Sequence, residues 1–386
     1  MARMRNPDTR IPSLDVLRGI AILGTLATNI WIFTHPEGLI GYIETTWGAQ
    51  GALGWVEKFL QQVSQGKFLG LLTVMFGIGL AIQRESALRA GRAWPGAYPW
   101  RAALLFLDGL LHYLLVTEFD ILMGYAVTAA VVAWVLSTSE RSQRLWMWAA
   151  AAIHLLLLSL AALALAAIGD QRPEGPVLAF NPYADGTWWQ LVELRVRNFV
   201  PFRIEPAFVF FMSVALFLAG ARLYAMGMLD GRGAALRRRW MLLGLGVALP
   251  LDFVLGLGGG QAGWVLARYG TAPLAAIGLL ALVAEVYVRR PRPGTLGRRM
   301  AEIGRIALSG YVLQNILASA ICYGWGLGLA ARLSASARVP VTIALFLLVS
   351  GLVALFAHLW LRRFARGPLE WLWHAGYRRL AGLPAG

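Results

Sequence analysis

The sequence contains little charge, little lysine and almost no cysteine. Charged residues make up 14% of its 386 positions, whereas hydrophobic residues make up 58%. A soluble protein of this length would need far more charge to cover its surface, so this composition excludes that class. With Cys322 as the single cysteine, an intramolecular disulfide is excluded as well. The only lysines are Lys58 and Lys67, so arginine carries nearly all of the positive charge behind the net +15.

What the sequence does contain is a series of long apolar runs. A helix needs about 20 apolar residues to cross the hydrocarbon core of a bilayer. Backbone polar groups must be satisfied internally there, which favours helices. We therefore predict an all-α, polytopic bundle of transmembrane helices that forms one integral membrane domain over residues 1–386. About ten spans are expected, at roughly 14–34, 66–83, 101–117, 121–137, 145–168, 205–226, 240–257, 263–288, 304–323 and 340–361.

Arginines cluster in alternate connections between these runs and at both ends of the chain. Because cytoplasmic loops carry an excess of Lys and Arg, we place both termini in the cytoplasm, with an N-terminal segment 1–13 and a C-terminal tail 362–386. The outer segments, 35–65 and 169–204, are either interfacial helices or loops that cap the bundle. This topology accounts for the positive net charge without a nucleic-acid partner, and membrane lipids are the expected surroundings.

One polar cluster interrupts the apolar runs within nine residues, and it consists of His112, Glu118 and Asp120. An ionisable group is expensive to bury in a bilayer, so its default interpretation is functional. A histidine beside acids also suits general acid–base chemistry. Either Asp120 or Asp108, which lies one turn before His112, could orient the imidazole. The alternative is that Glu118 and Asp120 are solvated acids in a turn and that His112 bonds a neighbouring carbonyl.

Other polar residues are candidates for binding a substrate. Asn29 lies in the first span, and Tyr311, Gln314 and Asn315 belong to a polar stripe in the ninth span. Amides are costly in lipid, so they should face the bundle interior, where they bind a ligand or join helices. His35 follows the first span at the outer interface, where we expect it to be accessible and thus a second candidate for a reactive histidine.

The start of the first span has the features of an anion site. Asp15 and Arg18 stand at i, i+3 and can pair, while Ser13 is a candidate N-cap. A helix N-terminus on the cytoplasmic side would attract an anion. Asp252 is an acid within a span that has no obvious partner in the sequence. No metal site is expected, because the histidines are dispersed and no thiolate pair exists.

Several motifs together resemble those of one bacterial family. They are Leu14–Gly24 with Asn29, Gly66–Phe68 with Phe76–Gly79, Gly109–His112 with Asp120 and Tyr125, Gly304–Gln314, and Arg366–Trp371. With them the sequence resembles the YeiB-like family of multi-pass proteins. That family is similar, more distantly, to transmembrane acyltransferases of the heparan-α-glucosaminide N-acetyltransferase type.

The resemblance implies acyl transfer across the bacterial plasma membrane. The donor would be cytoplasmic acyl-CoA, with acetyl-CoA expected, and the acceptor a hydroxyl or amine of a small molecule, sugar or glycolipid on the outer side. The relatives keep a reactive histidine near the outer end of the first part of the bundle, which either His112 or His35 matches. We prefer His112 as general base, with Asn29 or Gln314 donating to the acyl carbonyl. Tyr311 is a further candidate for substrate binding.

The CoA phosphates are expected to contact Arg18 and Arg84, with Asp15 and Lys67 as further cofactor-binding residues. Positive-inside topology explains such cations without any ligand. The alternative function is a proton-coupled transporter or flippase that uses the buried histidine and acids as a relay. The sequence leaves open whether the chain forms a homo-oligomer.

Overall fold

The computed structural model describes residues 11–45, 51–169, 180–290 and 292–382, and the described part is all-α, as predicted. The first eleven helices are α1 Pro12–Phe33, α2 Gly38–Thr45, α3 Gly51–Ser64, α4 Lys67–Arg89, α5 Tyr98–Leu115, α6 Leu122–Val135, α7 Glu140–Ile168, α8 Trp188–Arg197, α9 Phe199–Phe202, α10 Ile204–Phe208 and α11 Phe210–Ala225. The remaining ones are α12 Ala234–Met241, α13 Leu249–Gly258, α14 Gly260–Leu266, α15 Ala272–Arg289, α16 Thr295–Arg305, α17 Ala307–Cys322, α18 Leu329–Arg332, α19 Ala335–Leu361 and α20 Pro368–Leu380. Two π-helical segments, Leu242–Ala248 and Ala267–Thr271, join α12 to α13 and α14 to α15.

Each predicted span coincides with one helix or with two consecutive helices. Within the described ranges, six helical stretches are long and apolar enough to cross a membrane, and a seventh arises if α16 and α17 count as one bent span. These features are those of a multi-pass membrane protein. The number of spans and the side of the termini stay predictions, and the N-terminal arginines up to residue 10 lie outside the described residues.

The contact between α1 and α16 depends on two glycines. A side chain at Gly19 would collide with the carbonyl oxygen of Met300, and one at Gly304 with the carbonyl oxygen of Asp15. Such small residues allow two helix backbones to approach closely. Directly after α16 the chain turns by 90° into α17. α1 packs against α16, α17 and α4. The core consists of two clusters of buried apolar residues, and α1 contributes to both of them.

The start of α1 differs from the expectation. Its first residue is Pro12, its N-cap is Ile11, and no side chain caps it. Proline is favoured at the first helical position because its missing N–H would be unpaired there anyway. Ser13 thus lies inside the helix and is buried, so its prediction as N-cap was wrong.

The two outer segments are largely helical and cover the ends of the bundle. α3 packs against α1, α13 and α19, and α8 packs against α5. An aromatic contact supports this packing, because Tyr183 packs against Tyr323 with ring centroids 5.2 Å apart. Residues 46–50 and 170–179 of these segments lie outside the described residues.

Candidate active site

The helices α5 and α6 form an antiparallel hairpin, and its turn carries Asp120. One carboxylate oxygen, Oδ2, accepts a hydrogen bond of 3.2 Å from the backbone N–H of Met123 in the first turn of α6. The other oxygen, Oδ1, lies 3.0 Å from Nδ1 of His112, in the last turn of α5. The hairpin therefore holds this carboxylate at two points and brings it to the imidazole.

His112 contacts a polar residue on each side of its ring. Its Nε2 lies 3.1 Å from Nδ2 of Asn315 on α17. Because an amide nitrogen only donates, Nε2 accepts this hydrogen bond, and Nδ1 carries the proton that is donated to Asp120. The ring of Tyr311 packs against the imidazole with centroids 4.9 Å apart. The result is an Asp–His–Asn centre whose basic atom is Nε2.

This centre is removed from solvent. The exposed fraction is 3% for His112, 1% for Asp120 and 0% for Glu118. The alternative of solvated turn acids is therefore wrong for both carboxylates. It is also wrong for the histidine, because its ring nitrogens contact the side chains of Asp120 and Asn315, and neither nitrogen bonds a backbone carbonyl of the described residues.

Asp108 does not orient the imidazole, although it lies one turn before His112. Its Oδ2 atom is buried and has no hydrogen-bond partner among the described residues. Helical spacing places both side chains on one face of α5 but does not fix the direction in which the ring turns. The ring turns towards the hairpin and Asp120, so Asp120 is the orienting acid of the two candidates.

Glu118 fixes the outer segment to the hairpin. Its Oε1 accepts a hydrogen bond of 2.8 Å from the hydroxyl of Tyr183, and its Oε2 accepts one of 3.3 Å from Nε of Arg195. The same guanidinium donates at 3.0 Å to two carbonyls at the end of α5. The buried charges of Glu118 and Arg195 are thus paired and hydrogen-bonded, which gives Glu118 a structural role. Sequence reasoning did not single out Arg195, whose only signal is a cation in an outer segment.

Arg203 covers the hairpin from the same side. Its guanidinium donates to the carbonyl oxygens of Glu118 and Asp120, the latter at 3.0 Å, and lies 4.1 Å from the ring centre of Tyr113. These contacts tie the turn between α9 and α10 to the turn of the hairpin.

Of the predicted substrate-binding residues, one reaches the imidazole. Tyr311 packs on the ring. Gln314, which is fully buried, donates instead to Oγ1 of Thr25 on α1 at 3.2 Å. Asn29 is half-buried and does not contact either ring nitrogen of His112. The amide that reaches the imidazole is the neighbouring Asn315, which the sequence places in the same polar stripe without distinguishing it from Gln314.

His35 lies in the turn after α1. We expected it to be accessible, but it is buried. Only 7% of it is exposed, and its Nδ1 accepts a hydrogen bond of 3.2 Å from the backbone N–H of Glu37. Burial, and then the positive charge of Arg338, lowers the pKa of this imidazole to about 4. A reactive role at this position would require the turn to open.

A cavity of about 380 Å³ begins among Arg18, Arg101 and Arg305, on what we call the arginine-rich face, and extends towards the His112 centre. The charged side chains of its lining are Arg18, Arg101, Arg305 and one acid, Glu370, which accepts a hydrogen bond from Ser309. Its inner end includes Leu122, Tyr125 and Tyr311. Because Tyr311 packs directly on His112, the cavity ends one side chain away from the imidazole. Its wall between the two ends is mainly apolar and includes Leu72, Met75, Phe76 and Leu105.

The predicted cofactor-binding residues do not lie together. Asp15 and Arg18 form the expected ion pair at 3.3 Å, and Arg18 lines the cavity that leads to His112. Arg84 lines a different cavity on the same face.

Lys67 does not lie on that face at all. It begins α4, some 25 Å of helix from Arg84 at about 1.5 Å per residue. Its ammonium contacts the carboxylate of Asp252 and donates at 2.6 Å to the carbonyl of Gln62. Lys67 therefore cannot hold a phosphate beside Arg18 and Arg84. It is the ion-pair partner of Asp252, for which the sequence suggested none.

The fold and the site together define an all-α, multi-pass membrane protein with a buried Asp–His–Asn centre at the end of a cavity. Residues 223–379 match the model of the family described as "Protein of unknown function (DUF418)". The chain is 29% identical over 407 residues to the uncharacterized protein YeiB of Escherichia coli, covering 96% of this chain and 97% of the relative. It is 27% identical over 394 residues to the uncharacterized protein YxaH of Bacillus subtilis, covering 95% and 94%. The predicted resemblance to the YeiB-like family is thereby confirmed.

Proposed function

We propose that this protein is an acyltransferase of the bacterial plasma membrane. It would move an acyl group, with acetyl expected, from acyl-CoA at the arginine-rich face to a hydroxyl or amine acceptor that enters from the opposite side. The observation that carries this proposal is the cavity that starts among three arginines and ends at Tyr311, against the imidazole of His112.

The cavity fits the chemistry of the donor. Arg18, Arg101 and Arg305 supply guanidinium groups, which bind phosphates with charge-assisted hydrogen bonds. The apolar wall between them and Tyr311 suits a pantetheine arm. A volume of about 380 Å³ falls within the range of small-molecule sites, about 300–1,000 Å³. The phosphates would stay at the arginine-rich mouth while the thioester reaches the inner end.

His112 would act as the general base. Nε2 takes the proton of the acceptor hydroxyl or amine while the acceptor atom forms a bond to the thioester carbon. The carbon–sulfur bond then breaks, and the proton passes from His112 to the departing sulfur, which leaves as the CoA thiol. Asp120 keeps Nδ1 protonated and stabilises the imidazolium that forms between these steps.

Asn315 would stabilise the developing oxyanion. Its amide nitrogen now donates to Nε2 of His112, and its Oδ1 atom has no partner among the described residues. When the acceptor displaces this contact, the same N–H group can donate to the acyl oxygen, as oxyanion-hole donors do. The sequence favoured Asn29 or Gln314 for this role, and the geometry favours Asn315.

The proposal is tested with purified protein, radiolabelled acetyl-CoA and a membrane extract that supplies acceptors. We expect acetyl-CoA to raise the thermal unfolding temperature and label to appear on an acceptor. Free CoA without the acetyl group serves as the control for binding without transfer. The proposal is refuted if acetyl-CoA neither binds nor transfers its label.

A second candidate function is a proton-coupled transporter or flippase. It is favoured by the number of buried ionisable groups, since the Lys67–Asp252 pair lies apart from the His112 centre and is also excluded from solvent. Such groups within a bundle are the usual elements of proton relays. Proteoliposomes separate the two functions: a carrier moves protons or solute in response to a pH gradient without acetyl-CoA, whereas the acyltransferase does not.

A further inference from the structure

A second and larger cavity opens on the arginine-rich face. It has a volume of about 1,830 Å³, and helices α4, α7, α11 and α15 contribute to its wall. It shares no lining residue with the cavity that leads to His112. One part of its wall is apolar and includes Leu136, Met147 and Leu218, whereas its rim is strongly charged. The cavity is thus amphipathic.

The rim carries five arginines and three acids, and most of these charges compensate each other. Three arginines each contact an acid of the same wall, in the pairs Arg89–Glu85 at 3.2 Å, Arg144–Glu140 at 3.8 Å and Arg232–Asp230 at 2.7 Å. The two that remain are Arg84 on α4 and Arg222 on α11. Within the described part of the chain, neither of them has a carboxylate partner within ion-pair distance.

Arg84 and Arg222 belong to helices that pack tightly on each other. A side chain at Gly77 of α4 would collide with the backbone of Phe217 of α11, and one at Gly220 of α11 with the backbone of Val74. The two guanidinium groups therefore project into one cavity from adjoining helices. The Nε atom of Arg84 is buried and has no hydrogen-bond partner among the described residues. A buried charged donor without a partner on the protein is costly, so this N–H group favours an anionic ligand.

We propose that this cavity binds a phosphate-bearing ligand, with the phosphate held between Arg84 and Arg222 and an apolar part lying along Leu136, Met147 and Leu218. Guanidinium groups match the geometry of phosphate oxygens better than any other side chain does. The phosphate could belong to an anionic phospholipid or to a soluble nucleotide, and both share this chemistry. The inference does not depend on acyl transfer, because the His112 cavity has a separate set of lining residues.

α7 connects this cavity to the lipid. Leu145 and Trp148, at the same end of the helix as the lining residue Arg144, are 69% and 67% exposed. In a membrane this apolar face contacts acyl chains, so a phospholipid in the leaflet can reach the cavity without crossing water.

The test measures binding of three probes to the purified full-length protein by isothermal titration calorimetry in a neutral detergent. The probes are dihexanoyl phosphatidylglycerol, dihexanoyl phosphatidylcholine and adenosine 3′,5′-bisphosphate. Tighter binding of phosphatidylglycerol than of phosphatidylcholine would identify an anionic lipid, and binding of the bisphosphate would identify a soluble ligand. In either case the double variant R84Q/R222Q is expected to bind about 10- to 100-fold more weakly.

The matched control is R141Q/R290Q. Both of these arginines are exposed on the same face and line neither described cavity, so this variant removes the same charge elsewhere. It should bind like the wild type. The variant R84K/R222K keeps the charge and should recover part of the affinity. Such a recovery would show that the protein tolerates substitution at both positions. Binding of no probe, or an equal loss in R84Q/R222Q and R141Q/R290Q, would overturn the proposal.

Discussion

The His112 centre and the Lys67 centre are both buried polar clusters, yet they differ in how completely their atoms are paired. Lys67 donates to Asp252 and to the carbonyl of Gln62, and Asp252 also accepts from Nε2 of Gln62 at 2.5 Å and from Oγ1 of Thr271 at 3.2 Å. Neither Lys67 nor Asp252 lines one of the two described cavities. Around His112, by contrast, Oδ1 of Asn315 lacks a partner in the described part of the chain, and a cavity ends at Tyr311.

We interpret this difference as that between a structural cluster and a proposed reactive one. A saturated network rigidifies the helices that it joins, and it has no remaining atom with which to bind a substrate. A network with an unpaired atom beside a cavity can exchange an internal hydrogen bond for one to a ligand. Removing a side chain should therefore destabilise the protein at Lys67 and reduce its activity at the His112 centre.

The largest expected effect on stability follows from replacing Lys67 by Met. Asp252 then keeps a buried charge without a counter-charge, and breaking such a pair costs about 3–5 kcal/mol. Thermal unfolding in detergent measures this loss. The double variant K67M/D252L removes both charges and should recover most of the stability. Equal losses in the single and double variants would show that the two side chains are not coupled.

The second prediction concerns Asn315, the amide that contacts the imidazole. Asn315→Ala removes the proposed oxyanion donor, so the rate of acyl transfer should fall about 10²- to 10³-fold. Gln314→Ala is the matched control, because its amide is also buried on α17 with an unpaired oxygen, but its N–H group donates to Thr25 and not to His112. It should lower stability and leave the rate within a few-fold of the wild type. Equal rates of acyl transfer in the two variants would show that Asn315 is not the oxyanion donor.

A smaller effect is expected at the mouth of the His112 cavity. The variant R18Q/R101Q removes two guanidinium groups that would hold CoA phosphates, so KM for acetyl-CoA should rise about tenfold or more, with kcat little changed. Arg141→Gln, which lines neither described cavity, is the control for a general loss of charge. A fall in kcat with constant KM would place the donor elsewhere.

The smallest effect is a pH dependence of stability that comes from His35. Burial lowers its pKa to about 4 in the folded protein, against 6.5 in an unfolded chain. The unfolded state therefore binds more protons between these values, so the contribution of this residue is complete above pH 6.5 and is lost as the pH falls towards 4. Between pH 7 and 5.5 the loss is about 1 kcal/mol. The variant His35→Gln should show a flatter dependence of unfolding temperature on pH, and an unchanged slope would contradict this.

Local sequence signals predicted the helices and the hairpin, because apolar runs and their interruptions are properties of neighbouring residues. The same signals left Asp108 and Asp120 equivalent as partners of His112. Spacing along a helix gives a common face, but only the packed hairpin decides where the ring turns. The sequence therefore predicted that an acid lies near His112 but not which of the two acids it is.

Contacts between distant parts of the chain were not predictable. Asn315 lies 203 residues from His112, and Lys67 lies 185 residues from Asp252. Nothing in a single sequence shows which helices adjoin, so Gln314 was preferred to Asn315 and Lys67 was assigned to a cofactor. Arg195 was missed for the same reason, since its partner Glu118 lies 77 residues away.

The most direct test of His112 as general base compares His112→Ala with His35→Ala in the transfer of radiolabelled acetyl groups to acceptors of a membrane extract. Both histidines are buried, so unfolding temperatures of the two variants serve as the control for folding. We expect His112→Ala to lower the transfer rate about 10²- to 10⁴-fold, as loss of a general base does, while His35→Ala stays within a few-fold of the wild type. Full activity of His112→Ala, together with loss of activity in folded His35→Ala, would contradict this role of His112.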